Sequence, residues 1–242
     1  MDYVFGLHAV ESLLDQRPAD VKKVLVQKGR DDVRVQQIAD LAKRAGVAVV
    51  HTAKNELSDL VEGNHQGVVA ICREFKGRDE SELPALLEAL DAPALLLVLD
   101  GVTDPHNLGA CLRSADAAGV HAVIAPKDKS VGITSTVRKV ACGAAENVPF
   151  FAVTNLARTL KNLQDKGVWV VGTAGEAEDY LWQYDFKIPT AIVMGAEGKG
   201  MRRLTRECCD YLVKLPMAGS VSSLNVSVAT GIALFEAVRQ RR

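Results

Sequence analysis

The sequence has 242 residues, of which 48% are hydrophobic and 24% are charged, and its formal net charge is −1. This composition is ordinary for a globular protein, and the length allows one large domain or two modest ones. The near-neutral charge gives no overall electrostatic sign of a nucleic-acid partner. No apolar run approaches the roughly 20 residues of a membrane span, and the acidic start MDYVFGLHAVESLLDQ is unlike a secretory signal.

The cysteine pattern predicts neither a metal site nor a disulfide framework. The five cysteines form no CxxC pair and no zinc-like spacing; they are Cys72, Cys111, Cys142, Cys208 and Cys209. An odd, scattered set indicates free thiols in a reducing compartment, so we expect a cytoplasmic protein without a bound metal.

The N-terminal third alternates between strand and helix patterns. We predict strands at 21–26, 47–51 and 67–72 and helices at 31–45 and 54–61, which together make a small α/β domain over residues 1–75. Residues 76–92 are rich in charge and contain Pro84, which indicates a linker with one helical stretch at 83–90.

Residues 93–242 show a stronger alternation, which predicts a mostly parallel sheet with helices on both faces. The expected strands are 94–99, 120–125, 148–153, 168–173, 189–194 and 211–215. The expected helices are 108–118, 136–142, 155–166 and a final helix near the C-terminus. Ligands of such sheets bind at the carboxyl ends of strands, where unusual loops occur here at 100–107, 195–200 and 216–223.

The last of these loops leads into a helix rich in small residues. Ser222 or Ser223 is a plausible N-cap, and apolar residues then recur at helical spacing at Leu224, Val228, Ile232 and Phe235. One interpretation is a capped, buried C-terminal helix. The other is a site for a polar ligand, since exposed hydroxyls and Asn225 crowd the start of the helix.

The middle loop, GAEGKG at 195–200, differs from nucleotide-binding loops. Its glycine order is G-x-x-G-x-G, it lies late in the chain, and it lacks the GK[ST] ending of a P-loop. The arginines that follow, Arg202, Arg203 and Arg206, fit either a solvated helix face or an edge that contacts phosphate. Arg113 in the preceding helix could pair with Asp116, or could have a function of its own.

Three segments together resemble the three motifs of the SpoU (TrmH) family of RNA ribose 2′-O-methyltransferases. They are DPHNLGACLRSADAAGV, VMGAEGKGM and LPMAGSVSSLNVSVATGIALFE, in the order that the family has them. The N-terminal segments YVFGLHAVESLL and NHQGVVA resemble the substrate-binding domain of family members that methylate a guanosine ribose in 23S ribosomal RNA.

This resemblance implies a fold and an activity that spacing alone does not give. It implies a SPOUT-type α/β domain at 93–242 with a C-terminal trefoil knot, preceded by an RNA-binding domain similar to ribosomal protein L30e. It implies S-adenosylmethionine as cofactor, 23S ribosomal RNA as substrate, and a homodimer with no membrane or metal partner.

The resemblance also assigns site residues by their positions in the motifs. The implied catalytic or substrate-ordering residues are Asn107, Arg113, Glu197, Ser223 and Asn225. The implied cofactor-binding residues are Gly195, Leu215 and Leu224, with Met217 and Ala196 as weaker candidates.

Two other classes of function remain open from the residues. One is a dinucleotide-dependent oxidoreductase, which the misplaced glycine pattern disfavours. The other is a non-catalytic RNA-binding protein with the same fold, which the intact polar set of the motifs disfavours.

Overall fold

The computed structural model describes residues 1–30, 32–75 and 77–242. Its strands, in chain order, are β1 (Asp2–Phe5), β2 (Val21–Gln27), β3 (Ala48–Thr52), β4 (Val68–Cys72), β5 (Leu95–Asp100), β6 (Ala122–Pro126), β7 (Phe150–Val153), β8 (Trp169–Thr173), β9 (Asp179–Tyr180), β10 (Thr190–Gly195) and β11 (Tyr211–Lys214). Its α-helices are α1 (Leu7–Gln16), α2 (Val33–Arg44), α3 (Lys54–Leu60), α4 (Leu83–Glu88), α5 (Pro105–Ala117), α6 (Ser135–Val140), α7 (Ala144–Asn147), α8 (Leu156–Asp165), α9 (Arg203–Glu207) and α10 (Val226–Arg241).

The chain forms two compact units. The first unit is Met1–Lys76 together with Ile133–Asn147, and the second unit is Gly77–Gly132 together with Val148–Arg242. The sequence interpretation assigned residues 133–147 to the C-terminal part, whereas the structure groups this segment with the N-terminal part. Two residues that the predictions include, Asp31 of the first predicted helix and Lys76 of the linker, lie outside the described residues.

The first unit has a four-stranded sheet of order β1-β4-β2-β3, in which only β2 and β3 run parallel. The predicted strands and helices of residues 1–75 are present, but β1 and α1 were not predicted. The strand β1 has only four residues, and Gly6 with φ +92° separates it directly from α1. Such a short apolar run carries little periodic signal.

The segment 133–147 is held in the first unit by buried charges. Arg138 is 1% exposed; its Nε donates to Glu146 Oε1 at 2.6 Å, and its Nη1 lies 3.4 Å from the Cys72 sulfur. Arg17 Nη1 lies 3.3 Å from Glu146 Oε2. Removing one partner of such a buried pair leaves an uncompensated charge, which typically costs about 3–5 kcal/mol. These residues therefore make the segment an integral part of the unit.

The second unit has a seven-stranded sheet of order β7-β6-β5-β10-β8-β11-β9, in which all paired strands are parallel. Every residue of β5 is buried, as expected for a strand that is covered on both faces. The expectation of an α/β parallel sheet is confirmed. After β11 the chain returns across the sheet, and α10 packs against α5 and β10. The trefoil knot stays a prediction.

The helix α10 has the predicted periodicity, but the apolar side chains at the predicted spacing face away from the core. Leu224, just before the helix, Val228, Ile232 and Phe235 are between 36% and 51% exposed. The buried side chains of α10 are Val226, Thr230, Ala233, Leu234 and Ala237. Small residues at Ala233 and Ala237 let this buried face approach its neighbours closely. The interpretation as a capped, buried C-terminal helix is therefore correct for this face and wrong for the predicted apolar row, which is exposed.

No helix in the described part of the chain has the length and apolar character needed to cross a membrane.

Candidate active site

The candidate site lies where β5 and β10 end side by side. The two strands pair in parallel, with Gly195 opposite Asp100, so the loops that follow them emerge at one edge of the sheet. After β5 the side chain of Asp104 accepts a hydrogen bond from His106 N at 2.9 Å and caps α5, with Pro105 in the first helical position. This start places Asn107 in the first turn of α5, beside the end of β10.

An amide–carboxylate network joins residues from all three motifs. Asn107 Nδ2 donates to Glu197 Oε2 at 3.3 Å. Asn225 Nδ2 donates to Asn107 Oδ1 at 2.9 Å and lies 3.5 Å from Glu197 Oε1. Asn107 is only 9% exposed, so its amide is largely removed from water. Three residues that are far apart in the chain thus form one polar cluster.

Asn225 is also the N-cap of α10. Its Oδ1 accepts from Ser227 N at 2.9 Å and from Ser227 Oγ at 2.7 Å. The expectation that Ser222 or Ser223 caps this helix is wrong, because α10 begins only at Val226. Since the carbonyl oxygen of Asn225 is committed to the cap, its NH₂ group must point at Asn107 and Glu197.

The loop that carries Glu197 is a closed hairpin. Ala196 N donates to Gly200 O at 3.0 Å, and Gly200 N donates to Ala196 O at 2.9 Å. A Cβ atom at Gly195 would lie 2.2 Å from the carbonyl carbon of Gly200 and 2.3 Å from Met201 N, so only glycine fits there. Because this loop closes on itself, and does not open directly into a helix, it lacks the geometry of a dinucleotide-binding turn.

The three arginines after the hairpin have different surroundings. Arg202 makes an ion pair with Asp100, which is fully buried. The backbone N of Arg202 donates to Asp100 Oδ2 at 2.8 Å, and its Nε donates to Asp100 Oδ1 at 2.6 Å. Arg203 and Arg206 pair with Glu207 and Glu176, respectively, on the surface. Arg202 therefore fixes the hairpin to the end of β5, a role that neither sequence alternative predicted.

A cavity of about 440 Å³ opens beside this network. It is lined by Asp100, Gly101, Val102, Thr103, Asp104, Asn107, Lys129, Ala196, Glu197, Lys199, Gly200, Met201, Arg202 and Val226. The volume falls in the range of about 300–1,000 Å³ that is usual for small-molecule sites.

Two lysines of this cavity were not predicted. Lys129 belongs to the loop after β6, has φ +57°, and lies in a segment fixed by a hydrogen bond from Val131 N to Val102 O at 2.9 Å. Lys199 lies in the hairpin beside Glu197. The one sequence signal for Lys129 is that its loop also follows a parallel strand, so it emerges at the carboxyl edge of the sheet.

The remaining predicted site residues differ in their exposure. Arg113 is exposed on α5, and Ser223 is exposed in the segment before α10. Leu215 and Met217, just after β11, are half-buried, and Leu224 is 36% exposed.

The helix that carries Arg113 is held tightly against α10. The Cys111 thiol lies 3.5 Å from Thr230 Oγ1, and both residues are fully buried. Burial raises the pKa of Cys111 to about 11, so its sulfur stays a neutral packing group. The packing fixes the axis of α5 and thereby the position from which Arg113 projects.

Within the described residues, no group of His, Cys, Asp and Glu side chains is arranged to hold a metal ion.

Family models match both parts of the chain. Residues 94–235 match the SpoU rRNA methylase family, and residues 3–77 match the domain described as RNA 2′-O ribose methyltransferase substrate binding.

Relatives and solved structures agree with this match. The 23S rRNA (guanosine-2′-O-)-methyltransferase RlmB of Pseudomonas syringae is 62% identical over 241 residues, which cover 100% of this chain and 96% of the relative. The RlmB of Escherichia coli is 55% identical and covers 99% of each chain. The SpoU methyltransferase AviRb from Streptomyces viridochromogenes, solved in complex with AdoMet, has a TM-score of 0.83 and 25% identity, over 99% of this chain and 89% of that one. On its motifs, its family matches and its fold, this chain belongs to the SpoU rRNA methylase family.

Proposed function

We propose that this chain transfers a methyl group from S-adenosylmethionine to the ribose 2′-hydroxyl of a guanosine in 23S ribosomal RNA. The observation that carries the proposal is the convergence of Asn107, Glu197 and Asn225 beside a 440 Å³ cavity at the carboxyl edge of the sheet. The substrate follows from the RlmB relatives, which are 55–62% identical over nearly the whole chain.

The loops after β10 and β11 suit a cofactor with an apolar ring and a polar tail. Leu215, Met217 and Leu224 leave apolar surface accessible outside the core, while Gly195 and Ala196 present backbone at the neighbouring strand end. We assign these five residues to S-adenosylmethionine, which supplies a methyl group on a positively charged sulfur when it is bound. Much of the rate enhancement then comes from holding the hydroxyl in line with that methyl group and excluding water.

Arg113 orients the RNA. A guanidinium group carries a positive charge and offers a planar set of donors that match a phosphate. We assign Arg113 to the phosphate next to the target ribose. Glu197, held by the two amides, keeps a fixed orientation at the cavity, and Ser223 and Asn225 order the loop that leads into α10.

The homodimer that the family resemblance implies has a candidate interface on α10 and the segment just before it. Val221, Leu224, Val228, Ile232 and Phe235 leave a row of large apolar side chains exposed, which is unusual for the surface of a monomer. We propose that a second copy of the chain covers this row. The trefoil knot of the C-terminal segment and a cytoplasmic location are part of the same proposal.

The decisive test is methyl transfer from labelled S-adenosylmethionine to deproteinised 23S RNA, followed by mapping of the alkali-resistant position. We expect one new resistant guanosine with the wild-type protein. Arg113→Ala and Arg113→Lys should both reduce transfer at least tenfold, because a lysine cannot reproduce a planar, bidentate contact.

A matched control is Arg158→Ala, which removes a surface arginine from α8, where its side chain is 59% exposed. It should leave the rate unchanged. Cofactor binding without any transfer to the RNA would contradict the proposed reaction, and an Arg113→Lys variant with full turnover would contradict the role of Arg113.

A further inference from the structure

The first unit contains a polar cavity of about 300 Å³. It is lined by Gln27, Arg30, Lys54, Ser58, Gly63, Asn64, His65, Gln66 and Gly67. The lining contains two cations and no carboxylate, and none of its residues has a role in the methyl transfer described above.

Arg30 is fixed in place over the floor of this cavity. A Cβ atom at Gly67, where φ is +83°, would lie 2.7 Å from Arg30 Cδ and 3.1 Å from its Nη1. The glycine therefore lets the arginine lie directly on the backbone. Arg30 Nε also donates to Asp32 Oδ2 at 2.5 Å, which uses one of its five donors and orients the others.

Two lysines add positive charge around the same loop. Lys54 lines the cavity from the start of α3. Lys139 of α6 places its Nζ 2.9 Å from where a Cβ atom of Gly63 would lie and 4.7 Å from the centre of the Phe5 ring. Three cations thus converge on a segment of backbone that contains two glycines.

The loop 63–67 is built rigidly and does not depend on a ligand for its shape. His65 is 5% exposed; its Nδ1 accepts from Gly67 N at 3.0 Å and its Nε2 lies 3.3 Å from Ser58 Oγ. Gln66 has φ +53°, and its Oε1 accepts from Leu7 N at 3.0 Å, which ties the loop to the start of α1. A pre-ordered cationic cavity loses little entropy when an anion binds.

We propose that this cavity binds a backbone phosphate, with its ribose, of the RNA substrate. The proposal rests on the proposed function for the nature of the anion. An anion suits the excess of cations in the lining. The volume of about 300 Å³ is enough for a phosphate with its ribose but not for a longer stretch of RNA. Asn64, Gln27 and Ser58 provide neutral hydrogen-bonding groups for ribose hydroxyls. The domain match of residues 3–77 to RNA 2′-O ribose methyltransferase substrate binding favours RNA over a free metabolite.

The test uses charge-removing variants of the full-length protein with 23S RNA. We expect Lys54→Gln and the double variant Arg30→Gln/Lys54→Gln to raise the RNA dissociation constant in filter binding, the double variant by about tenfold or more. The slope of log affinity against log salt should become shallower by about one for each phosphate contact that is lost. KM for RNA should rise, while kcat at saturating RNA and the affinity for S-adenosylmethionine stay unchanged.

The matched control is Lys22→Gln/Lys23→Gln, which removes two exposed lysines at the opposite end of β2 from Gln27. Equal weakening in this control, or an unchanged salt slope in the cavity variants, would overturn the proposal. Because Arg30 also pairs with Asp32, thermal melting of each variant separates a folding defect from lost binding, and Lys54→Gln alone leaves that pair intact.

Filter binding distinguishes the two proposals from each other. If the wild-type protein binds RNA in a way that depends on Arg30 and Lys54 but transfers no methyl group, the cavity assignment holds and the proposed reaction fails. If methyl transfer is normal and the cavity variants bind RNA like wild type, only the cavity assignment fails.

Discussion

At the scale of single residues, Asn225 connects the fold to the site. Its oxygen caps α10 and its NH₂ group bonds Asn107 and approaches Glu197. One side chain therefore both starts a helix and fixes two other polar groups. A replacement that keeps the oxygen but removes the NH₂ group therefore tests the second role without the first.

Asn225→Asp should retain the cap but damage the site. Aspartate caps helices about as well as asparagine and suits the positive end of the helix dipole, so we expect the melting temperature to change little. The variant loses the NH₂ donor and places a second carboxylate beside Glu197, so we expect kcat/KM to fall at least tenfold. Methylation kinetics and thermal melting of the same preparation check this; normal activity would show that the network is dispensable.

Gly195→Ala tests the close approach of the hairpin to the end of β10. The added methyl group would meet backbone atoms at 2.2–2.3 Å, which no side-chain rotation relieves. We expect a loss of about 1–3 kcal/mol in unfolding free energy, with reduced activity, because overpacking forces the backbone to move. Denaturant unfolding measures the loss of unfolding free energy. The control is Gly175→Ala, whose added Cβ would have no atom within 4 Å, so its stability should remain near that of the wild type.

The sequence predicted part of this site for a clear reason. Asn107, Glu197 and Asn225 each lie in a motif with a recognisable local pattern, and the structure brings them together. Lys129 lies in a loop without such a pattern. The Asp100–Arg202 pair joins residues 102 positions apart, and nothing in the local sequence of either residue indicates the other.

At the scale of elements, α10 shows what hydrophobic periodicity can and cannot predict. The spacing of Leu224, Val228, Ile232 and Phe235 indicates a helix, because one face repeats every three to four residues. It does not say whether that face meets the core of the same chain or a second molecule. Here Val226, Leu234 and small residues form the buried face, and the predicted apolar row remains exposed.

Phe235→Lys should separate the subunits of the proposed dimer without unfolding them. Phe235 is 50% exposed, so a charge there costs little within one chain, whereas in an apolar interface it would be buried without a partner. We expect the wild-type protein to sediment as a dimer and the variant as a monomer with an unchanged circular dichroism spectrum.

The control for this experiment is Val33→Lys, because Val33 is an apolar residue on α2 that is 71% exposed. A monomeric wild-type protein, or a variant that remains dimeric, would show that the row on α10 has another role.

At the scale of the whole molecule, each unit contains a histidine whose ring accepts a backbone hydrogen bond and must stay neutral to do so; His65 is buried and His121 is partly buried. His65 Nδ1 accepts from Gly67 N in the first unit, and His121 Nδ1 accepts from Leu95 N in the second, both at 3.0 Å. Burial is the main cause that lowers the pKa of each histidine below its usual value of 6.5. A protonated ring could not accept these bonds.

Stability should therefore fall as the solution becomes acidic. Below pH of about 6.5 the unfolded chain binds protons at these histidines while the folded chain resists them, so the unfolding free energy decreases until the lowered folded-state pKa values are reached. Denaturant unfolding at pH 7.5 and 5.5 should show the loss. His121→Asn, whose amide oxygen can still accept from Leu95 N, should weaken the pH dependence; an unchanged dependence would assign the effect to other groups.

The segment Ile133–Asn147 determines which fragments of this protein can be separated as intact units. It belongs to the first unit, while the chain on both sides of it belongs to the second, so the polypeptide passes between the units three times. A fragment that starts after residue 76 would keep Arg138 and Glu146 but lose Asp2, Arg17 and Cys72, and would present to water a charged pair that the intact chain buries. The N-terminal third is therefore not a detachable module. A chimera that exchanges it between relatives must carry the helices α6 and α7 with it, although they follow more than fifty residues later in the sequence.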